Sequence, residues 1–203
     1  MPFHPDANAQ LQDMARQALP LAMRALEAAE LDGEPAHQMN ALSQVARCLR
    51  VLRRFGDAER ALQRALRWAA MLPAADAQVD LLCELAELAC MTAEHAAERA
   101  DDDSVDDDAE PRDPAAIGIA LDTARDHAYA AARCAGLTTD AHWEVTVLLR
   151  VSDVLNRCGD HDDAATMQGR AVGLLGAPHP APDAGAGAGA GDSIGRPPTN
   201  WLM

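Results

Sequence analysis

Seven arginines stand between Arg47 and Arg67, opposed in that window only by Asp57 and Glu59. A guanidinium fork grips a carboxylate through two parallel hydrogen bonds. Arg47, Arg50 and Arg54, with Arg53 beside them, therefore form a candidate surface for an acidic segment or a C-terminal carboxylate. Arg150, Asn156 and Arg157 offer similar chemistry later in the chain, with Asp153 among them. The competing reading of both groups is a solvated helix face whose arginines pair with neighbouring acids.

The remaining reactive side chains point to no chemistry. The five cysteines form no close pair, and Cys83 and Cys90 lie too far apart on one helix to be bridged. No Cys-x2-Cys or His-x3-His spacing occurs, so no metal site is expected. His95, His127, His142 and His161 read as exposed helix residues. There is no Gly-x-Ser-x-Gly elbow, phosphate loop or HExxH. Gly185, Gly187, Gly189 and Gly191 have no strand before them or helix after them, and read as linker. The many carboxylates sit on helix faces and in one acidic run, where nothing would raise a pKa for acid–base work. The expectation is a protein without catalytic residues or cofactor, and not an enzyme.

The arginines lie in the stretch VARCLRVLRRFGDAERALQRALRWAAMLP, from Val45 to Pro73. Val45, Cys48, Leu49 and Leu52 recur at helical spacing, as do Ala58, Ala61, Leu62, Ala65 and Ala69. Between them Gly56 is expected to take the left-handed conformation that ends a helix, and Asp57 to cap the next. The same corner recurs at Gly159-Asp160, about three repeat lengths on.

In chain order, the pattern predicts a helix from Asp6 to Leu31 with Leu11, Met14, Ala18, Leu21, Ala25 and Ala29 inward, kinked or split at Pro20. A second helix runs from Ala36 to Phe55 and a third from Asp57 to Leu72. The fourth, Ala77 to Arg99, carries Leu81, Leu82, Leu85, Leu88, Ala89 and Thr92 on its apolar stripe. DDDSVDDDAEPRDP then reads as a charged flexible loop; it lacks the glycine turn and final Glu of a calcium loop. Asp113-Pro114 starts a fifth helix, which Gly136 ends. A sixth follows Asp140, with Trp143, Val147, Leu148, Val151 and Leu155 inward, and a seventh runs from Asp160 to Leu175. The expected architecture is all-α, with stacked antiparallel helix pairs over residues 6–176, an acidic insertion at 100–114 and a low-complexity Ala/Gly/Pro tail at 177–203.

The bulk numbers bound the function. A net charge of −15 over 203 residues disfavours nucleic-acid and acidic-membrane binding, which need a positive field. The first ten residues carry no secretory signal pattern, and no apolar run reaches membrane-spanning length. An odd cysteine count fits a reducing compartment, so the cytoplasm is expected. The absence of lysine and the abundance of Ala, Asp and Gly suggest a GC-rich bacterial genome.

The opening stretch resembles the tetratricopeptide repeat, a helix pair of about 34 residues with the pattern W-x2-L-G-x2-Y, then A-x3-F, then P. Val45 takes the Trp place, Cys48 and Leu49 the Leu-Gly places, and Leu52 the Tyr place. Ala61 matches the alanine, Ala65 replaces the Phe, and Pro73 matches the proline. In the later copy Leu148, Val151, Ser152 and Leu155 fill the first helix, with Ala164 on the alanine and Gln168 on the Phe. Small residues in the aromatic places mark a divergent member, and the unit between, Val79 to Ala135, is not a clean repeat.

The resemblance implies a superhelix whose concave groove holds a peptide or helix of a partner protein. It suggests an adaptor, with a secretion-type chaperone or a structural subunit as alternatives. Folding of the acidic loop onto the arginine row, and docking by Trp201-Leu202-Met203, are two further possibilities.

Overall fold

Alanine-rich stretches with apolar residues three and four apart can bury little as strands but pack closely as helices. The chain accordingly forms seven helices in a computed structural model that describes residues 5–73, 75–101, 114–137 and 140–176. They are α1 (Pro5–Asp32), α2 (Pro35–Val51), α3 (Phe55–Ala69), α4 (Asp76–Asp101), α5 (Pro114–Ala135), α6 (Ala141–Arg157) and α7 (His161–Gly176). No strand occurs among the described residues. Most of the acidic run and the whole tail lie outside them, so the flexible loop, its folding onto the arginines and the Trp201 docking peptide fall there too.

Each helix packs on its neighbours in sequence, and α4 also touches α6. The stack has two apolar clusters. One gathers α1, α2 and α3 against Leu81, Leu85 and Leu88 of α4. The other gathers α5, α6 and α7 against Val79, Cys83, Ala86 and Cys90 of the same helix. α4 is therefore a wall shared by both halves. Its expected single stripe is corrected accordingly: Thr92 is exposed and Leu82 and Ala89 are only half-buried, while Val79, Cys83, Ala86, Cys90 and Ala93 are core.

Two other expectations are corrected. α1 runs unbroken through Pro20, and it buries Ala15, Ala22, Leu26 and Ala29, not the Leu11-Met14-Ala18-Leu21-Ala25 stripe. The first corner falls earlier than Gly56. α2 ends at Val51, Arg53 takes the left-handed conformation (φ 57°), and α3 has begun at Phe55. Gly56 lies inside its first turn. Asp57 is not the cap; it accepts from Arg54 Nε at 2.8 Å and also from Arg60.

At the second corner Gly159 has φ 86° and α7 starts at His161. The backbone bonds match one for one. Leu52 N–H donates to Cys48, Arg53 to Arg50, Arg54 to Leu49 and Ala58 to Arg54. Likewise Cys158 donates to Val154, Gly159 to Asn156, Asp160 to Leu155 and Ala164 to Asp160. The counterpart of Gly159 is thus Arg53. Buried Leu42, Val45, Ala46, Leu49 and Ala58 correspond to Leu148, Val151, Ser152, Leu155 and Ala164.

Candidate interaction face

Arginines of α2, of the first corner and of α6 flank α4, whose Asp80, Glu84, Glu87, Glu94 and Glu98 recur at helical spacing on one side; Arg47 and Arg53 are exposed, and Arg50, Arg150 and Arg157 are half-buried. From α2, Arg47 donates to Glu84 Oε1 through Nε at 3.2 Å and Nη2 at 2.8 Å. Arg50 Nη1 lies 3.7 Å from Glu87 Oε2. Arg53 Nη1 donates to Glu98 Oε2 at 3.2 Å and lies 3.2 Å from His95 Nδ1. From α6, Arg150 donates through Nε to Glu87 Oε1 at 2.8 Å and through Nη1 to Asp80 Oδ1 at 3.3 Å. Arg157 Nε donates to Glu94 Oε1 at 2.8 Å.

Five of the seven predicted residues therefore meet on one surface, as a band of acids between two rows of bases. The other two turn elsewhere. Arg54 pairs with Asp57 at the first corner, and Asn156 Oδ1 lies 3.2 Å from His161 Nδ1 at the second. Missing from the sequence reading were the α4 carboxylates. Their spacing was visible, but only the stacking shows that α2 and α6 lie to either side.

Burial alone would lower the Arg150 and Arg157 pKa values. The hydrogen bonds to Glu87 and Glu94 and the nearby acids outweigh it, holding both guanidinium groups above their ordinary range. Burial pushes Asp80 up, assisted by Glu84 and Asp76 and opposed by Arg150.

Between the N-terminal halves of α2 and α4 lies an open cleft of about 300 Å³. Asn40, Ser43, Gln44 and Arg47 form one wall, Asp80 and Glu84 the other, with Met39 and Leu81 contributing apolar surface. It offers amides, a hydroxyl, a cation and two carboxylates, a set suited to a peptide backbone with side chains of either charge.

Away from this face the polar residues hold the stack together. Arg125 joins α5 to the second corner through Asp160 Oδ2 (2.5 Å) and the Cys158 carbonyl (2.8 Å). Tyr129 donates to Asp163, which with burial pushes its pKa up to about 12. The cysteines are all free thiols. Cys90 and Cys158, distant in sequence, place their sulfurs 3.8 Å apart in the core. Burial raises Cys83 to about 11 and Cys90 to about 12, so neither supplies a thiolate at neutral pH. Two histidines differ from the expectation of exposure. His95 is half-buried edge-on to Phe55 at 5.5 Å, and burial lowers the pKa of half-buried His127. No cluster able to hold a metal ion occurs among the described residues, and no helix there is long and apolar enough to cross a membrane.

No known family profile matches the chain, and no curated protein matches it. Among solved structures it is similar to BtubC (BKLC) from P. vanneervenii, with a TM-score of 0.57 at 17% identity. The match covers 89% of this chain and 65% of that one, so the chain spans just under two thirds of its length. At that identity the likeness concerns the helical fold alone.

Proposed function

We propose that this chain is a protein-interaction module of tetratricopeptide type, and not an enzyme, that holds a peptide or helix of a partner along the α2–α4–α6 face. The observation that carries the reading is the α2–α4 cleft, where a 300 Å³ opening is lined by donors and acceptors on two adjacent helices. The corner geometry supports the repeat assignment. Moved to the register in which Arg53 answers Gly159, the first pair puts Leu42 in the Trp place, Val45 and Ala46 in the Leu-Gly places, and Leu49 in the Tyr place. Ala58 then takes the alanine and Leu62 the Phe. This shifts the first assignment by one helical turn and places a buried small residue where the helices approach closely.

An acidic partner would exchange its carboxylates for those of α4. The Arg53–Glu98 pair is exposed on both sides and worth about 0–1 kcal/mol, so it exchanges at little cost, whereas Glu84 and Glu87 are half-buried and hold their arginines more firmly. Affinity capture with the 203-residue chain, run beside an Arg47→Glu/Arg50→Glu variant and quantified by mass spectrometry, tests the reading. Partners retained by the native chain and lost by the variant are expected. Equal capture by both would remove the arginine face from the function.

A further inference from the structure

The corner equivalence extends to the helices before α2 and α6, pairing α1 with α5. Ala22, Leu26 and Ala29 of α1 are buried, as are their counterparts Ala128, Ala132 and Ala135 of α5. The two helices part company one step round the axis. Ala124 and Ala131 are fully buried within the cluster that joins α5 to α4. Their counterparts Ala18 and Ala25 are exposed, beside Leu11 (55% exposed), Met14 (59%) and Leu21 (64%). No described helix covers α1 where α4 covers α5. Roughly half of its circumference is apolar, well beyond the ~100° stripe of an ordinary surface helix.

The spacing of the uncovered residues identifies the occupant. Leu11, Met14, Ala18, Leu21, Ala25 and Ala28 follow a strict three-four alternation, the seam of a coiled coil. We propose that this seam pairs antiparallel with the α1 seam of a second copy, about a two-fold axis near Pro20. In that register every large residue meets an alanine: Leu11 faces Ala28, Met14 faces Ala25 and Leu21 faces Ala18 of the other copy, each twice. Large-over-small layers fill without voids or clashes. Along the flank of the seam, Gln17 meets Arg24 of the other copy and Gln10 meets Leu31, so no like charges face each other.

Charge argues the same way. A chain of net charge −15 repels its own copies over most of its surface. Between Asn8 and Met23, however, α1 carries only Asp13 and Arg16, which pair with each other. The seam from Leu11 to Ala28 is about 27 Å long. Isolated helices of that length are marginal in water, but α1 is already ordered by α2, so pairing has no helix-nucleation cost to meet.

Sedimentation equilibrium of the full chain is expected to give a mass near twice 21.5 kDa. Leu21→Glu and Ala18→Arg each remove the dimer, with helical circular dichroism unchanged because both sites are exposed. Mixing the two variants restores a heterodimer, since the new glutamate of one copy then faces the new arginine of the other. A monomer at ~100 µM, a dissociation constant of little biological weight, would overturn the proposal and leave the seam to another protein. A dimer indifferent to Leu21→Glu, one lost on deleting residues 177–203, or a mixture that stays monomeric would overturn it equally.

Discussion

Glu144 is one of three buried polar or charged residues among those described, and it depends on Arg170, whose guanidinium lies over Gly136. A Cβ at position 136 would come within 2.6 Å of that guanidinium nitrogen, so the glycine makes room for the pair. Arg170→Met strands a buried carboxylate and is expected to lower unfolding free energy by about 1–3 kcal/mol in urea. Arg16→Met, which breaks only an exposed pair, should change it by less than about 0.5 kcal/mol. The thiols supply a second residue-level test. Cys83 and Cys90 are held protonated by burial, with values near 11 and 12 against an ordinary 9.0. Above pH 9 the unfolded chain has lost protons that the folded chain keeps. Stability is therefore full below pH 9 and falls as pH rises toward 11 and 12. Denaturant midpoints measured from neutral to alkaline pH should show that decline, reduced in a Cys83→Ala/Cys90→Ala variant to the share left by Tyr129 and Cys158, whose values are also raised. Iodoacetamide should label half-buried Cys48 and Cys134 well before Cys83, Cys90 or Cys158.

At the scale of the element, the two corners have one geometry and different residues at the left-handed position. Glycine adopts it freely at 159; arginine at 53 is strained by roughly 1 kcal/mol. Gly159→Ala should therefore destabilise by about 1 kcal/mol. Arg53→Gly should stabilise by a similar amount, less the small contribution of the exposed Glu98 pair, as thermal melts of the two variants would report. The same contrast explains what the sequence made readable. Gly159-Asp160 sits where glycine rules predict, but the Gly56-Asp57 pair imitates the signal three residues late, because a strained arginine already makes the turn. The helices themselves were readable from periodicity, and α3 and α6 bury most of the expected side chains. α1 misled because it has two apolar stripes and periodicity cannot rank them. α4 misled because it is buried on two sides, which blurs any single stripe. The Cys90–Cys158 contact and the α4 carboxylates depend on stacking between distant segments, and no local pattern encodes them.

Across the whole molecule, the band of charge on α4 couples α2 and α6, which belong to different apolar clusters and meet only through the helix common to both. Glu87 is its centre, taking Arg150 at 2.8 Å and Arg50 at 3.7 Å. Glu87→Gln should lower stability by about 1 kcal/mol at low ionic strength and by distinctly less in ~1 M salt, where the Debye length is only about 3 Å. Urea titrations at the two salt concentrations check this. The apolar clusters place α4 in a different role. Its leucines complete the first half, and its Val79, Cys83, Ala86 and Cys90 complete the second, so neither half keeps its wall without it. A load drawn between residues 5 and 176 would strip the outermost rods first and surrender the central one last. Because α1 packs only on α2 and α7 only on α6, the molecule would then lengthen in successive jumps rather than in one.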